Sequence, residues 1–242
     1  IAARSTYGTT VSTSASSKIN ASALLVSIGI EGRSSQGNVL ISNAGDINAT
    51  GVLGGGVGIQ AYSTAGNTNA INTGHIKAVS DYGMAIGVTS YAAAGGNAVA
   101  SNGGTIFASG GDYGAYGMSV QSGAGHATAN NSGDILATST GTSIGVVSEA
   151  HGNIVVNNSA TGTIEAGNGA LAAGVQVNST AGTSTVNNAG MIHASGGTLS
   201  AGVVFKGSAG ANVLNNYATG MVRADGADGA AFAVMGGDGS ET

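Results

Sequence analysis

The chain is predicted to be all-β, a right-handed single-stranded parallel β-helix of about eight coils, each with three strands and about 29 residues. Three observations carry that expectation. An isoleucine returns at a near-constant interval: Ile47, Ile76, Ile106, Ile135, Ile164 and Ile192, with Ile19 before them and Val222 after, 28 to 30 residues apart. An alanine follows two positions later each time, from Ala21 and Ala49 to Ala224. Each interval also contains three short alternating runs separated by Gly, Asn and Ser. Self-similarity at such a period marks a stacked, quasi-one-dimensional architecture, and period-two alternation bounded by turn residues marks strands.

Segment one is the Ile-x-Ala strand. Segment two follows a glycine-rich turn, as in Gly58-Ile59-Gln60-Ala61, Gly117-Met118-Ser119-Val120 and Gly174-Val175-Gln176-Val177. Segment three precedes an asparagine, as in Val39-Leu40-Ile41, Ile154-Val155-Val156 and Val213-Leu214. Each strand should stack on its counterpart one coil away, about 4.8 Å along the axis, giving a rod on the order of 38 Å long. Alternation turns Ile47 and Ala49 inward and Asp46 and Asn48 outward. The absence of proline suits strands that must donate on every rung.

Asn43, Asn72, Asn102, Asn131, Asn158, Asn188 and Asn216 fall at one turn. They read as a structural ladder, because Asn tolerates turn backbone and stacked amides hydrogen-bond from coil to coil. After Asn158 and Asn216 the turn carries two extra residues, which should form small bulges at that corner. Residues 1–18 fit the repeat poorly and read as an irregular start or the remnant of an earlier coil, with Thr9–Ser12 as a candidate strand. Residues 19–242 form the β-helix, with disorder expected at the very end.

Composition narrows function. Only 7% of residues are charged, the net charge is −5, and six Lys and Arg are spread over 242 residues. No phosphate-binding stripe can be built from these, so nucleic acid is not an expected partner. No apolar run is long enough to span a membrane as a helix. Zero cysteine excludes disulfides and thiolate metal sites. The start at Ile1, without methionine or leader, reads as a processed or excised fragment.

The outward columns hold no catalytic constellation. Asp46 and Asp134 lie three coils apart, too far for paired carboxylates. Asp46, His75, Asn48 and Lys77 read as hydrated surface charge, and Glu165, His193 and Arg223 as an exposed ion-pair ladder. The four histidines lack partners at metal-ligand spacing. No catalytic residue, metal or cofactor is assigned, and the chain is not expected to be an enzyme. Binding candidates are instead repetitive. Tyr62 and Tyr91 should occupy adjacent rungs of an outward column that runs from Arg33 through Gln121, Glu149, Asn178 and Lys206 to Met235. They would make a strip suited to sugar or protein contact, against the alternative of stacking that only stabilises the sheet. Asp81-Tyr82-Gly83 and Asp112-Tyr113-Gly114 repeat in the turn after segment one and could display a tyrosine ridge, against plain turn chemistry. The segment-three face, with Leu40, Val99, Val155 and Val213 outward, is semi-apolar and could associate with another rod.

The recurring Asn-x-Gly-x-Ile-x-Ala, as in Asn43–Ala49 and Asn188–Ala194, resembles the passenger domains of bacterial type V secreted autotransporters and related adhesins over roughly residues 19 to 235. The resemblance implies a rod outside a Gram-negative cell, a membrane barrel in the missing C-terminal part, and adhesion or self-association as the role. Expected partners are another copy, a host-cell or matrix protein, or a glycan. The competing readings are a polysaccharide-binding or -degrading β-helix, which would need loops that the 27 to 30 residue spacing leaves little room for, and a passive stalk. Ice binding is disfavoured because outward threonines scatter over three faces.

Overall fold

The computed structural model describes residues 1–207, 210–227 and 229–236. These wind into a parallel β-solenoid of about eight coils in which every recorded strand pairing is parallel. Segment-one strands β3 (Lys18–Ala23), β6 (Asp46–Gly51), β9 (His75–Ser80), β12 (Thr105–Ser109) and β15 (Asp134–Thr138) stack in register. Ile47 therefore faces Ile76, Ile76 faces Ile106 and Ile106 faces Ile135. Segment three forms its own eight-stranded sheet, from β2 (Gly8–Ser12) and β5 (Asn38–Asn43) to β21 (Asn212–Asn216).

Two features differ from the sequence expectation. Segment-two strands such as β4 (Val26–Ser34), β7 (Gly55–Ser63) and β10 (Met84–Ala92) run to nine residues, not about five. In β18 (Thr163–Ser179) and β20 (Met191–Phe205) the chain passes from segment one into segment two without a break, which joins both columns into one 15-stranded sheet. Small residues at that corner let the strand bend instead of ending, and the irregularity is absorbed at Asn168, whose φ is 63°. At the N-terminal end, β1 (Ala2–Ser5) pairs with β4 and β2 pairs with β5, so residues 2–12 supply segments two and three of an earlier coil. The expectation about the last residues falls largely on 237–242, outside the described residues.

The interior is a set of ladders. Ile47, Ile76, Ile106, Ile135, Ile164 and Ile192 are at most 2% exposed, and burial on that scale stabilises by about 1.5–3 kcal/mol per side chain. Their methyl groups fit against glycines. A Cβ on Gly29, Gly58, Gly87, Gly117, Gly145 or Gly174 would strike the Cγ2 of Ile47, Ile76, Ile106, Ile135, Ile164 or Ile192 respectively. The glycine is thus an inward position with no side chain, and the isoleucine of the facing strand occupies the space. The cross-section is narrow because of this pairing.

The corner after segment three is closed by amides. Asn43 Nδ2 donates to Asn72 Oδ1 at 2.9 Å, and the same bond repeats from Asn72 to Asn102, Asn131, Asn158, Asn188 and Asn216 at 2.8 to 3.0 Å. Each of these nitrogens through Asn158 also donates to the carbonyl of the following turn glycine, as Asn102 does to Gly104. Asn43 through Asn188 are buried, so their polar groups are satisfied from within the ladder.

Candidate functional site

Among the described residues the surface features run along the rod. On the segment-two face, Arg33, Tyr62, Tyr91, Gln121, Glu149 and Asn178 occupy successive rungs of one column, whereas Met235, expected at its end, pairs with Val204 two positions before Lys206. The Tyr62 and Tyr91 ring centroids are 5.4 Å apart and tilted by 57°, and the Arg33 guanidinium lies 5.5 Å from the Tyr62 centroid. Such cation–aromatic–aromatic stacking holds the half-buried rings in one orientation. Gln121 Nε2 donates to Glu149 Oε2 at 3.3 Å, continuing the column as a polar strip.

Arg33 is itself fixed by a carboxylate. Glu31 is 5% exposed and ion-pairs with both Arg4, at 2.9 Å, and Arg33. Burial works to raise its pKa, but hydrogen bonds and charges from Arg4 and Arg33 outweigh it and hold the carboxyl below its ordinary range.

The same face carries a further column that sequence reasoning missed, separated from the Tyr62 column by the rungs of Glu31, Gln60, Thr89, Ser119, Val147 and Gln176. Ile28, Val57, Ile86, Tyr116, Ile144 and Ala173 align rung by rung, directly before the glycine ladder; the first four are half-buried and turned away from the interior core, while Ile144 and Ala173 are buried. Ile144, Val147 and Ala173 cluster with Tyr116 and Val204 apart from the interior core. Strict alternation would put Ile28 on the same side as Ile30. The glycine between them takes an extra inward position and reverses the phase. The recurring apolar-Gly-apolar triplet (Ile28-Gly29-Ile30, Ile86-Gly87-Val88) was the available signal.

The other candidates are placed as follows. Tyr82 and Tyr113 are 63% and 76% exposed, but they do not form a stacked ridge. Gly111, not Tyr113, lies against the Tyr82 backbone, and the Gly111 amide donates to the Gly83 carbonyl at 3.1 Å. Asp81 is exposed in its turn, and Asp112 accepts a hydrogen bond from Thr140 Oγ1 at 2.6 Å. On the segment-three face Leu40 is 37% exposed, and Val99, Val155 and Val213 are half-buried. On the segment-one face His75 Nδ1 lies 2.5 Å from Thr105 Oγ1. The ion-pair ladder is built differently from expectation. His193 and Arg223 both meet Asp225 at 2.9 Å, while Glu165 is in none of the recorded pairs. The Arg223 hydrogen bond first, and that of His193 second, lower the Asp225 pKa.

Among the described residues no cluster of His, Cys, Asp or Glu could hold a metal ion, and no helix is long and apolar enough to cross a membrane. No family model, no curated protein and no solved structure matches the chain.

Proposed function

We propose that this chain is an adhesive rod displayed on a bacterial surface, of the autotransporter-passenger type, acting by many weak contacts summed along its length. The observation that carries the reading is the repetition of outward chemistry. The Arg33–Tyr62–Tyr91 stack and the half-buried apolar column through Ile28, Val57, Ile86 and Tyr116 run along the same sheet face over successive coils. Contacts spaced regularly on a stiff support engage together, so that modest individual affinities combine into high avidity. A stiff rod also limits the ordering cost of binding.

Concentration-dependent sedimentation tests the self-association branch of this reading. Tyr62 and Tyr91 are replaced by Glu in one variant, Val57 and Ile86 by Lys in a second, and Val99, Val155 and Val213 by Glu in a third. Self-association by the unaltered chain, abolished by the first or second set and spared by the third, supports the segment-two face as the contact surface. Loss only with the third set moves the contact to segment three. A monomer at every concentration, together with no retention on host-matrix proteins or glycans, would leave a passive stalk.

A further inference from the structure

A depression of about 610 Å³ forms a groove along the corner between segments three and one. Its floor is the buried ladder of Asn72, Asn102, Asn131 and Asn158. One wall is a second amide ladder, one residue earlier in each strand. Asn157 Nδ2 donates to Asn130 Oδ1 at 2.9 Å, Asn187 to Asn157 at 2.8 Å, and Asn215 to Asn187 at 2.8 Å. Tyr217, in the longer turn before Gly220, stands at one end with its ring 53% exposed and its hydroxyl 3.5 Å from Asn187 Oδ1.

The two ladders differ in what they leave over. An asparagine amide offers two N–H groups and two carbonyl lone pairs. In the inner ladder both N–H groups are spent: Asn131 Nδ2 reaches Asn158 Oδ1, the Gly133 carbonyl and the Thr163 carbonyl. In the outer ladder each nitrogen has one recorded bond, to its neighbour, and Asn157 Oδ1 accepts one. Asn157 and Asn187 are half-buried at the groove, each with an N–H to spare, and Asn157 also has a free lone pair. Structural need accounts for the inner ladder in full and for only half of the outer one.

We infer that this groove binds an uncharged glycan chain lying along the rod axis, its hydroxyls paired with the spare amide groups of Asn130, Asn157 and Asn187 and one sugar ring resting on Tyr217. Paired hydroxyls donate and accept at once, as each spare amide does, and the amides repeat at about the 4.8 Å strand spacing. The lining carries no Lys, Arg, Asp, Glu or His, so neither an acidic polysaccharide nor a basic peptide finds a counter-charge. An extended peptide would need an open strand edge to pair with, and the walls here are strands already paired on both sides. The inference rests on the reading of the rod as a contact surface and names a ligand class for it.

The test is calorimetric titration of the full chain with maltohexaose, cellohexaose, xylohexaose and chitohexaose, and with polygalacturonate as the charged comparison. The inference expects at least one neutral hexasaccharide to bind. Its affinity should fall about tenfold in Tyr217→Ala, which removes the stacking surface, and similarly in Asn157→Ala/Asn187→Ala. Tyr217 is exposed, so its variant remains decisive if the double variant loses stability. Absence of binding by all four neutral sugars, preference for polygalacturonate, or binding unchanged in Tyr217→Ala would each overturn it. Sedimentation of the same samples separates the two readings: self-association without sugar binding refutes the glycan groove alone.

Discussion

Replacing Gly87 with alanine probes the contact that sets the width of the solenoid. The added Cβ would meet Ile106 Cγ2 and, at 2.6 Å, the Gly117 carbonyl oxygen. That oxygen belongs to the next rung of the same column and cannot move without disturbing a second coil. Overpacking of a tight interior costs about 1–3 kcal/mol, and the upper end applies because one of the opposing atoms is backbone. With a urea m-value of about 3 kcal/mol/M, the midpoint should drop by about 1 M. Gly103→Ala is the control: its Cβ would lie 3.5 Å from Ser132 Oγ, an ordinary contact, and should leave stability within about 0.5 kcal/mol. Ile106→Ala alone should cost about 2–5 kcal/mol. In combination with Gly87→Ala it removes the clashing methyl, so the pair should be at least about 1 kcal/mol less destabilising than the sum. Urea unfolding followed by circular dichroism measures all four. A Gly87→Ala midpoint equal to that of Gly103→Ala, or strict additivity in the pair, would refute the interlocking of the two ladders.

Other outcomes follow from the polar groups. Asn102→Ala deprives the Asn131 carbonyl oxygen and the Gly104 carbonyl of a donor, at about 1–3 kcal/mol for each buried group left unpaired. Asn102→Asp keeps the acceptor for Asn72 but turns a carboxylate toward those same oxygens. Its burial there raises the carboxyl pKa, so the penalty is full at neutral pH and shrinks as protonation restores a donor. Unfolding midpoints of the variant should recover toward the unaltered chain between about pH 7 and pH 4, and no recovery contradicts the ladder. For Glu31 the sign is the reverse. Its folded pKa is depressed, so its stabilisation is present above the unfolded value of 4.5 and is lost as pH falls through the folded one. Protection of the β1 and β4 amides, taken against the intrinsic exchange rate at each pH, should fall on acidification in the unaltered chain and lose that dependence in Glu31→Gln.

What the sequence made legible was whatever repeats at one position per coil. Ile47 and its counterparts, Ala49 and its counterparts, and the asparagines from Asn43 to Asn216 occupy single columns, and a fixed period suffices to align them. Phase changes inside a strand were less legible. Ile28 and Ile30 look equivalent by alternation, and only the glycine between them, standing opposite Ile47, sends one out and the other in. Turn geometry was equally hidden: two Asp-Tyr-Gly motifs suggest stacked tyrosines, but it is Gly111 that lies against the Tyr82 backbone. The outer amide ladder of Asn157, Asn187 and Asn215 sits beside the inner one, in Asn-Asn pairs that read as turn residues. Their separation depends on which amide finds backbone carbonyls to bond, and spacing does not encode that.

The most direct test of the central claim, that contacts add along the rod, is to shorten it by one coil. Removing residues 136–164 joins Ile135 to Glu165 in register, because Ile135 and Ile164 are strand partners. The same operation at residues 77–106 exploits the pairing of Ile76 with Ile106. Clumping of beads coated with the full chain and with each shortened chain measures the consequence. Summed contacts predict a several-fold fall in association for each coil removed, out of proportion to the lost length. Clumping unchanged after both deletions would contradict the claim, since a stalk or a single local site elsewhere on the rod loses nothing when it is shortened.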